Sequence, residues 1–148
     1  MGFFIELTTI ILFEEKQQMK EFLIVSMGSF LGGGMRFLVS KLMTMLVTTP
    51  LPLGTFTVNI LGCLLIGFFS ALPGSGSASA LSISTSTRLL LTTGFCGGFT
   101  TFSTLMKESD AMMVSHHPFA LVAYLTLSFS VGLVAVWAGQ RIASCLGG

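Results

Sequence analysis

The sequence predicts an all-α membrane protein of four transmembrane helices, the third broken in mid-membrane. Three observations carry that expectation. Only 9% of the 148 residues are charged and 52% are hydrophobic, whereas soluble domains carry about 25% charged residues. Four uninterrupted apolar windows cover residues 22–47, 53–72, 89–106 and 119–138, each near the roughly 20 residues that cross a hydrocarbon core of about 30 Å. The third window, unlike the others, holds a run of glycines and hydroxyls where a membrane helix should hold leucines.

Residues 1–18, "MGFFIELTTIILFEEKQQ", come first. They are apolar for only a dozen positions, contain Glu6, and lack both a basic start and a small-residue cleavage site, so they make a poor signal peptide. An amphipathic or disordered extension is expected here, with "MKEFLIV" from Met19 as an alternative translation start. The membrane domain is then 19–148. With polar stretches only at 48–52, 73–88 and 107–118, expected as loops, there is no room for a soluble catalytic or binding domain. Function must be performed within the bilayer, and no nucleic-acid partner is expected.

The first span carries Gly32, Gly33 and Gly34 ahead of Arg36. The glycines suit tight helix packing rather than phosphate binding, because no strand precedes them and no Lys-Ser or Lys-Thr follows. Arg36 either snorkels to an interface or faces a water-filled cavity, since an unpaired charge in hydrocarbon is costly. In a cavity it would raise the local anion concentration. In the second span, "GTFTVNILGCLLIGFF", Asn59 is the only amide side chain. It is either helix–helix glue or an N–H donor to an anion, and Gly62 beside it allows close approach.

The third span contains "GFCGGFTTFSTLMKE", residues 94–108. Gly94, Gly97 and Gly98 are weak helix formers, and Thr100, Thr101, Ser103 and Thr104 compete for backbone hydrogen bonds, so the helix is expected to break here. A break at membrane depth is tolerated only where it is buried in protein or lines an aqueous path. Freed carbonyls suit a cation; hydroxyls and N–H groups suit an anion. Phe99 and Phe102 either pack against lipid and core or turn positive ring edges to an anion. In the fourth span Tyr124 and Ser128 lie four apart on one face, with Gly132 continuing the row. They form a hydrogen-bonding track, or else Ser128 bonds its own turn and Tyr124 belongs to an interfacial belt.

Cys63, Cys96 and Cys145 are too far apart for a disulfide framework or zinc site, and adjacent His116 and His117 fit a solvated loop. Orientation follows the flanking Lys and Arg. Lys16, Lys20, Arg88 and Arg141 fall on one side, and Arg36, Lys41 and Lys107 on the other. This near-balance predicts a dual-topology homodimer, two opposed copies recreating an inverted repeat. If Arg36 and Lys41 lie inside the span, a bias with both termini cytoplasmic returns.

Taken together, "GFCGGFTTFST" with its following Glu, "GTFTVNILG" before it, and a glycine-rich first span ending in Arg resemble the Fluc (CrcB) fluoride channels from about Lys20 to Ala138. The resemblance implies an antiparallel dual-topology homodimer in the cell membrane with two fluoride pathways and a central structural sodium ion. It implies that backbone carbonyls of Gly97 and Thr100 hold the sodium. Asn59, Phe102, Ser103, Thr104, Tyr124, Ser128 and Arg36 match the family's fluoride-pathway positions. Where the family usually reads "TTFSTF", this chain has Leu105, which can close a dry wall but offers no ring edge; conduction is expected to persist at an altered rate.

The implied activity is passive fluoride export, with no enzyme chemistry. The rival is a proton-coupled small multidrug-type exporter, which needs a membrane-embedded carboxylate. Glu21 stands at the edge of the first span, and Glu108 and Asp110 are expected at or beyond the end of the third.

Overall fold

The computed structural model describes residues 2–47, 49, 51–77, 79 and 81–147, with the backbone alone for 2–13. Thr48 and Pro50 of the first expected loop, and Ala78 and Ala80 of the second, lie outside the described residues. Among the described residues, four stretches of helix are long and apolar enough to cross a membrane, the first of them within Glu14–Leu46. They comprise α1 (Gly2–Leu46), α2 (Leu53–Ala71), a composite third span and α6 (Pro118–Gly147). The third is built from α3 (Thr85–Leu89), a π-helical segment (Leu90–Cys96), a single turn α4 (Gly97–Phe99) and α5 (Phe102–Val114).

Two boundaries differ from expectation. The residues before Met19 prolong α1 as helix from Gly2. Beyond the third apolar window, α5 runs on to Val114, leaving only Ser115–His117 as the connection to α6. Apolarity ends at Met106, but Lys107, Glu108 and Ala111 are good helix formers, and the Ser109 hydroxyl donates back to the Leu105 carbonyl at 2.8 Å. The helix therefore outlasts the window by two turns.

Backbones approach closely at two seams. Along α2 and α6, a Cβ on Gly67 would collide with the Val136 carbonyl and one on Gly139 with the Leu64 carbonyl. Such contacts suit membrane helices, whose association rests on close van der Waals packing rather than on a hydrophobic drive. Along α1, Gly32 lies against the Phe95 carbonyl, whereas Gly33 and Gly34 face open space; one glycine of the three serves the tight packing expected of the run. Arg88 closes the far end of the bundle, donating from Nη2 to the Leu72 carbonyl at 2.6 Å and from Nη1 to the Ser70 carbonyl at 3.2 Å. It caps the last turn of α2, whose carbonyls have no helical donors. Large apolar side chains such as Phe22, Phe30 and Leu133 cover the outer surface, as a lipid-facing wall requires.

Candidate functional site at the break in the third span

The break falls at Thr100–Thr101, later than the glycines. Gly94 and Gly98 stay helical and bring the chain against Gly28 and Ser29 of α1, so their role is close approach. At Thr100 the backbone becomes extended (φ −81°, ψ 158°), and Thr101 continues so (φ −148°, ψ 111°). The last helical bond runs from the Thr100 N–H to the Cys96 carbonyl at 3.0 Å. The Thr101 N–H, which in an unbroken helix would serve the Gly97 carbonyl, instead donates to Asn59 Oδ1 at 2.8 Å. Asn59 Nδ2 donates in return to the Thr101 carbonyl at 3.2 Å. One amide side chain thus accepts the N–H that the break frees and adds a donor to the carbonyl of the same residue, as a dry environment demands.

Thr101 then starts α5. Its Oγ1 accepts from the Thr104 N–H at 3.3 Å, a side-chain N-cap; it also lies 2.9 Å from Thr104 Oγ1 and 3.4 Å from Ser103 Oγ. This cap draws the Thr104 N–H away from the Thr100 carbonyl. Gly97 and Thr100, the two positions expected to hold a cation, are thus carbonyls whose helical donors are diverted. Both border a cavity of ≈ 470 Å³. A Cβ on Gly97 would meet nothing within 4 Å, so the backbone there is open to the cavity. Hard carbonyl oxygens on an open face fit a sodium ion by donor chemistry.

The same cavity brings together Asn59, Phe102, Leu105 and Ser128. Phe102 is 65% exposed on this single chain, while Leu105 is 4% exposed. Ser128 Oγ is buried with no hydrogen-bond partner, so the bond to its own turn is not made. A buried hydroxyl without a partner is uncommon and calls for an explanation. Ser103 and Thr104 belong to the start of α5 rather than to the cavity wall. Arg36 is half-buried and borders neither this cavity nor the next.

Tyr124 is 4% exposed, no belt residue. Its hydroxyl donates to Glu108 Oε2 at 2.7 Å, and the Thr55 hydroxyl donates to Glu108 Oε1 at 2.7 Å. Glu108 therefore sits inside the third span's helix, bridging α2 and α6, rather than at or beyond its end. Thr55 was not singled out by sequence, and Glu108 was read only as a carboxylate at the end of the span. The signal was available: Thr55 lies four residues before Asn59 on the same face of α2, and Glu108 seven after Thr101 on α5. Both border a second cavity of ≈ 320 Å³, where Ser40 and Thr44 near the end of α1 add hydroxyls. From this mouth the polar groups continue through Thr55, Glu108 and Tyr124 to Asn59 and the larger cavity.

The family model described as "CrcB-like protein, Camphor Resistance (CrcB)" matches residues 23–140. A fluoride-specific ion channel FluC of Chlorobium phaeobacteroides is 42% identical over 127 residues, 86% of this chain and 95% of that protein. One from Phocaeicola vulgatus is 40% identical over 82% of this chain and 96% of its own length. Another, from Flavobacterium psychrophilum, is 36% identical over 84% of this chain and 98% of its own. With four spans, a broken third helix and matches over most of both lengths, the chain belongs to the CrcB family.

Proposed function

We propose that this protein is a fluoride-selective channel that lets cytoplasmic fluoride leave down its electrochemical gradient, and that it works as an antiparallel homodimer. The observation that carries the reading is the line of uncharged donors from Thr55 through Asn59 to Ser128, on the scaffold of a family whose relatives are named fluoride-specific channels. Fluoride is small and strongly hydrated, so its water must be replaced by donors at short range. Ser128 Oγ–H has no protein acceptor and is free to donate to a passing anion. Asn59 spends Oδ1 and one N–H on Thr101; its second Nδ2–H remains for the ion. The exposed Phe102 adds a positive ring edge. A fixed full positive charge here would hold the anion too tightly for release, and the narrow path has none.

Glu108 gives this line a second property. Its side-chain oxygens accept hydrogen bonds from the Thr55 and Tyr124 hydroxyls, so these residues serve an anion only when it competes for those bonds. Fluoride, a strong acceptor, can; a larger, weaker acceptor gains less. Ser103 and Thr104 support the path by holding the N-cap of α5, and Arg36 contributes its charge to the potential around the first span.

The half-open, largely apolar cavity and the exposed Phe102 support closure by a second copy, and the near-balanced Lys and Arg support opposed insertion. Carbonyls of Gly97 and Thr100 from each copy would hold a sodium ion at the centre, where it supplies fixed positive charge and ties the copies together. Replacing sodium by a large organic cation should lower the thermal stability of the dimer; no change would remove the ion from the proposal.

Purified protein in liposomes should release fluoride with equal pH on both faces, and chloride far more slowly. Absent fluoride flux overturns the channel; equal chloride flux overturns its selectivity; flux that needs a proton gradient returns the exporter, to which Glu108 would supply the carboxylate.

A further inference from the structure

We propose that the turn between α5 and α6 binds a soft monovalent metal cation, copper(I) or its congener silver(I), between the Met112 thioether and the His117 imidazole. The site does not depend on what passes along the polar line.

The end of α5 brings these two residues together. The His117 N–H donates to the Met112 carbonyl at 3.0 Å and the His116 N–H to the Met113 carbonyl at 3.2 Å, while His116 takes a positive φ of 57°. This is the Schellman pattern, with histidine in the left-handed position where glycine is usual. In that pattern the residue after the left-handed position folds back over the helix end, and its side chain commonly meets that of the residue whose carbonyl it bonds, in an apolar contact. Here the pair is an imidazole and a thioether. His117 is fixed from the other side as well: its carbonyl accepts from the Leu121 N–H at 3.1 Å, and Pro118 begins α6 with its φ set by the ring. Adjacent His116 and His117 are poorly placed to chelate as neighbours, but the turn pairs His117 with Met112, five residues back.

Met112 and His117 border one cavity of ≈ 260 Å³, together with Ser115 and Glu108. Met112 is half-buried and His117 exposed, so an ion can enter from water. The donor set decides which ion. Among the described residues no three His, Cys, Asp or Glu side chains gather, so zinc lacks the four-coordinate shell it usually takes. A thioether is a soft ligand that selects copper(I), and imidazole binds copper too. Closed-shell monovalent ions of this kind are satisfied by two such donors, and the pair supplies them. Glu108 adds an oxygen on the same cavity. Because Glu108 also borders the ≈ 320 Å³ cavity, the bound cation would lie beside the mouth of the polar line.

The test needs no ion flux. In the NMR spectrum of the full chain in detergent micelles, with isotope-labelled methionine methyl groups, the Met112 signal is assigned by its loss in Met112→Leu and that of Met113 by its loss in Met113→Leu. Silver(I) added stepwise should shift Met112 before Met113, which is the more exposed at 60% but does not border the cavity. The free thiols of Cys63, Cys96 and Cys145 take silver as well, so the order of two methionines in one sample, rather than total uptake, is the readout. His117→Ala should abolish the precedence of Met112, whereas His116→Gly, which keeps the turn, should preserve it. Zinc should leave Met112 unshifted. Met112 and Met113 moving together in the parent, precedence that survives His117→Ala, precedence lost in His116→Gly, or a zinc shift as large as that of silver would each overturn the proposal.

Discussion

Asn59 and Thr101 exchange two hydrogen bonds, one through each end of the amide side chain, and so hold open the break in the third span. The anion-binding role proposed for Asn59 and its structural role fall to the same side chain. Asn59→Ala should strand the Thr101 N–H and lower stability by about 1–3 kcal/mol, the usual cost of an unsatisfied buried group. Asn59→Asp keeps the acceptor and loses the donor, while setting a negative charge beside the path. Fluoride efflux should fall at least tenfold in Asn59→Asp. Thermal unfolding in detergent and liposome efflux separate the two effects; Asp flux equal to the parent's would take Asn59 off the path.

Thr55 and Tyr124 meet through Glu108, so their substitutions should not add. Hydrogen bonds to a charged group contribute about 1.5–3 kcal/mol, and either Thr55→Val or Tyr124→Phe should destabilise by about that much. Because they share one carboxylate, a double-mutant cycle should show a coupling of about 0.5–3 kcal/mol. Strict additivity would mean the bridge is not formed in the membrane.

Leu105 is buried and borders the main cavity, at the position where the resemblance expects phenylalanine. Leu105→Phe enlarges a packed side chain and should cost about 1–3 kcal/mol, with fluoride efflux changed in rate but not in kind. A parent without flux that gains it on Leu105→Phe would show that the second ring is indispensable.

Gly139→Ala should be strongly destabilising. Its methyl meets the Leu64 carbonyl, a backbone atom that cannot rotate aside, and α2 and α6 must separate along their seam. Gly33→Ala meets nothing within 4 Å and should be neutral or slightly stabilising, because alanine is the better helix former. Melting temperatures of the pair check the contrast.

Much of this was legible in the sequence, and the remainder was hidden for physical reasons. Apolar length located the four spans, and the cluster from Gly94 to Thr104 located the break, because hydrocarbon punishes unsatisfied backbone and so leaves a compositional mark. Helix ends were less visible: a polar helical turn such as Lys107–Asp110 looks like loop when only apolarity is counted. Gly94 and Gly98 read as helix breakers, since weak helix propensity and close approach both select glycine, and only the neighbour across the gap tells them apart. The bridge through Glu108 was hidden because its partners, Thr55 and Tyr124, lie 53 and 16 residues away, a relation no local pattern records.

The π-helical turn at Leu90–Cys96, closed by the Gly97 N–H reaching five residues back to the Thr92 carbonyl, also sets a phase. Such turns accommodate an extra residue within an otherwise α-helical path. Were Leu90–Cys96 wound as ordinary α-helix with no residue removed, everything after it would be rotated by about 100°. Thr101 would then turn away from Asn59, and Glu108 from Thr55 and Tyr124, though no polar residue had been changed. In this span, the winding of the residues before the break matters as much as their identity.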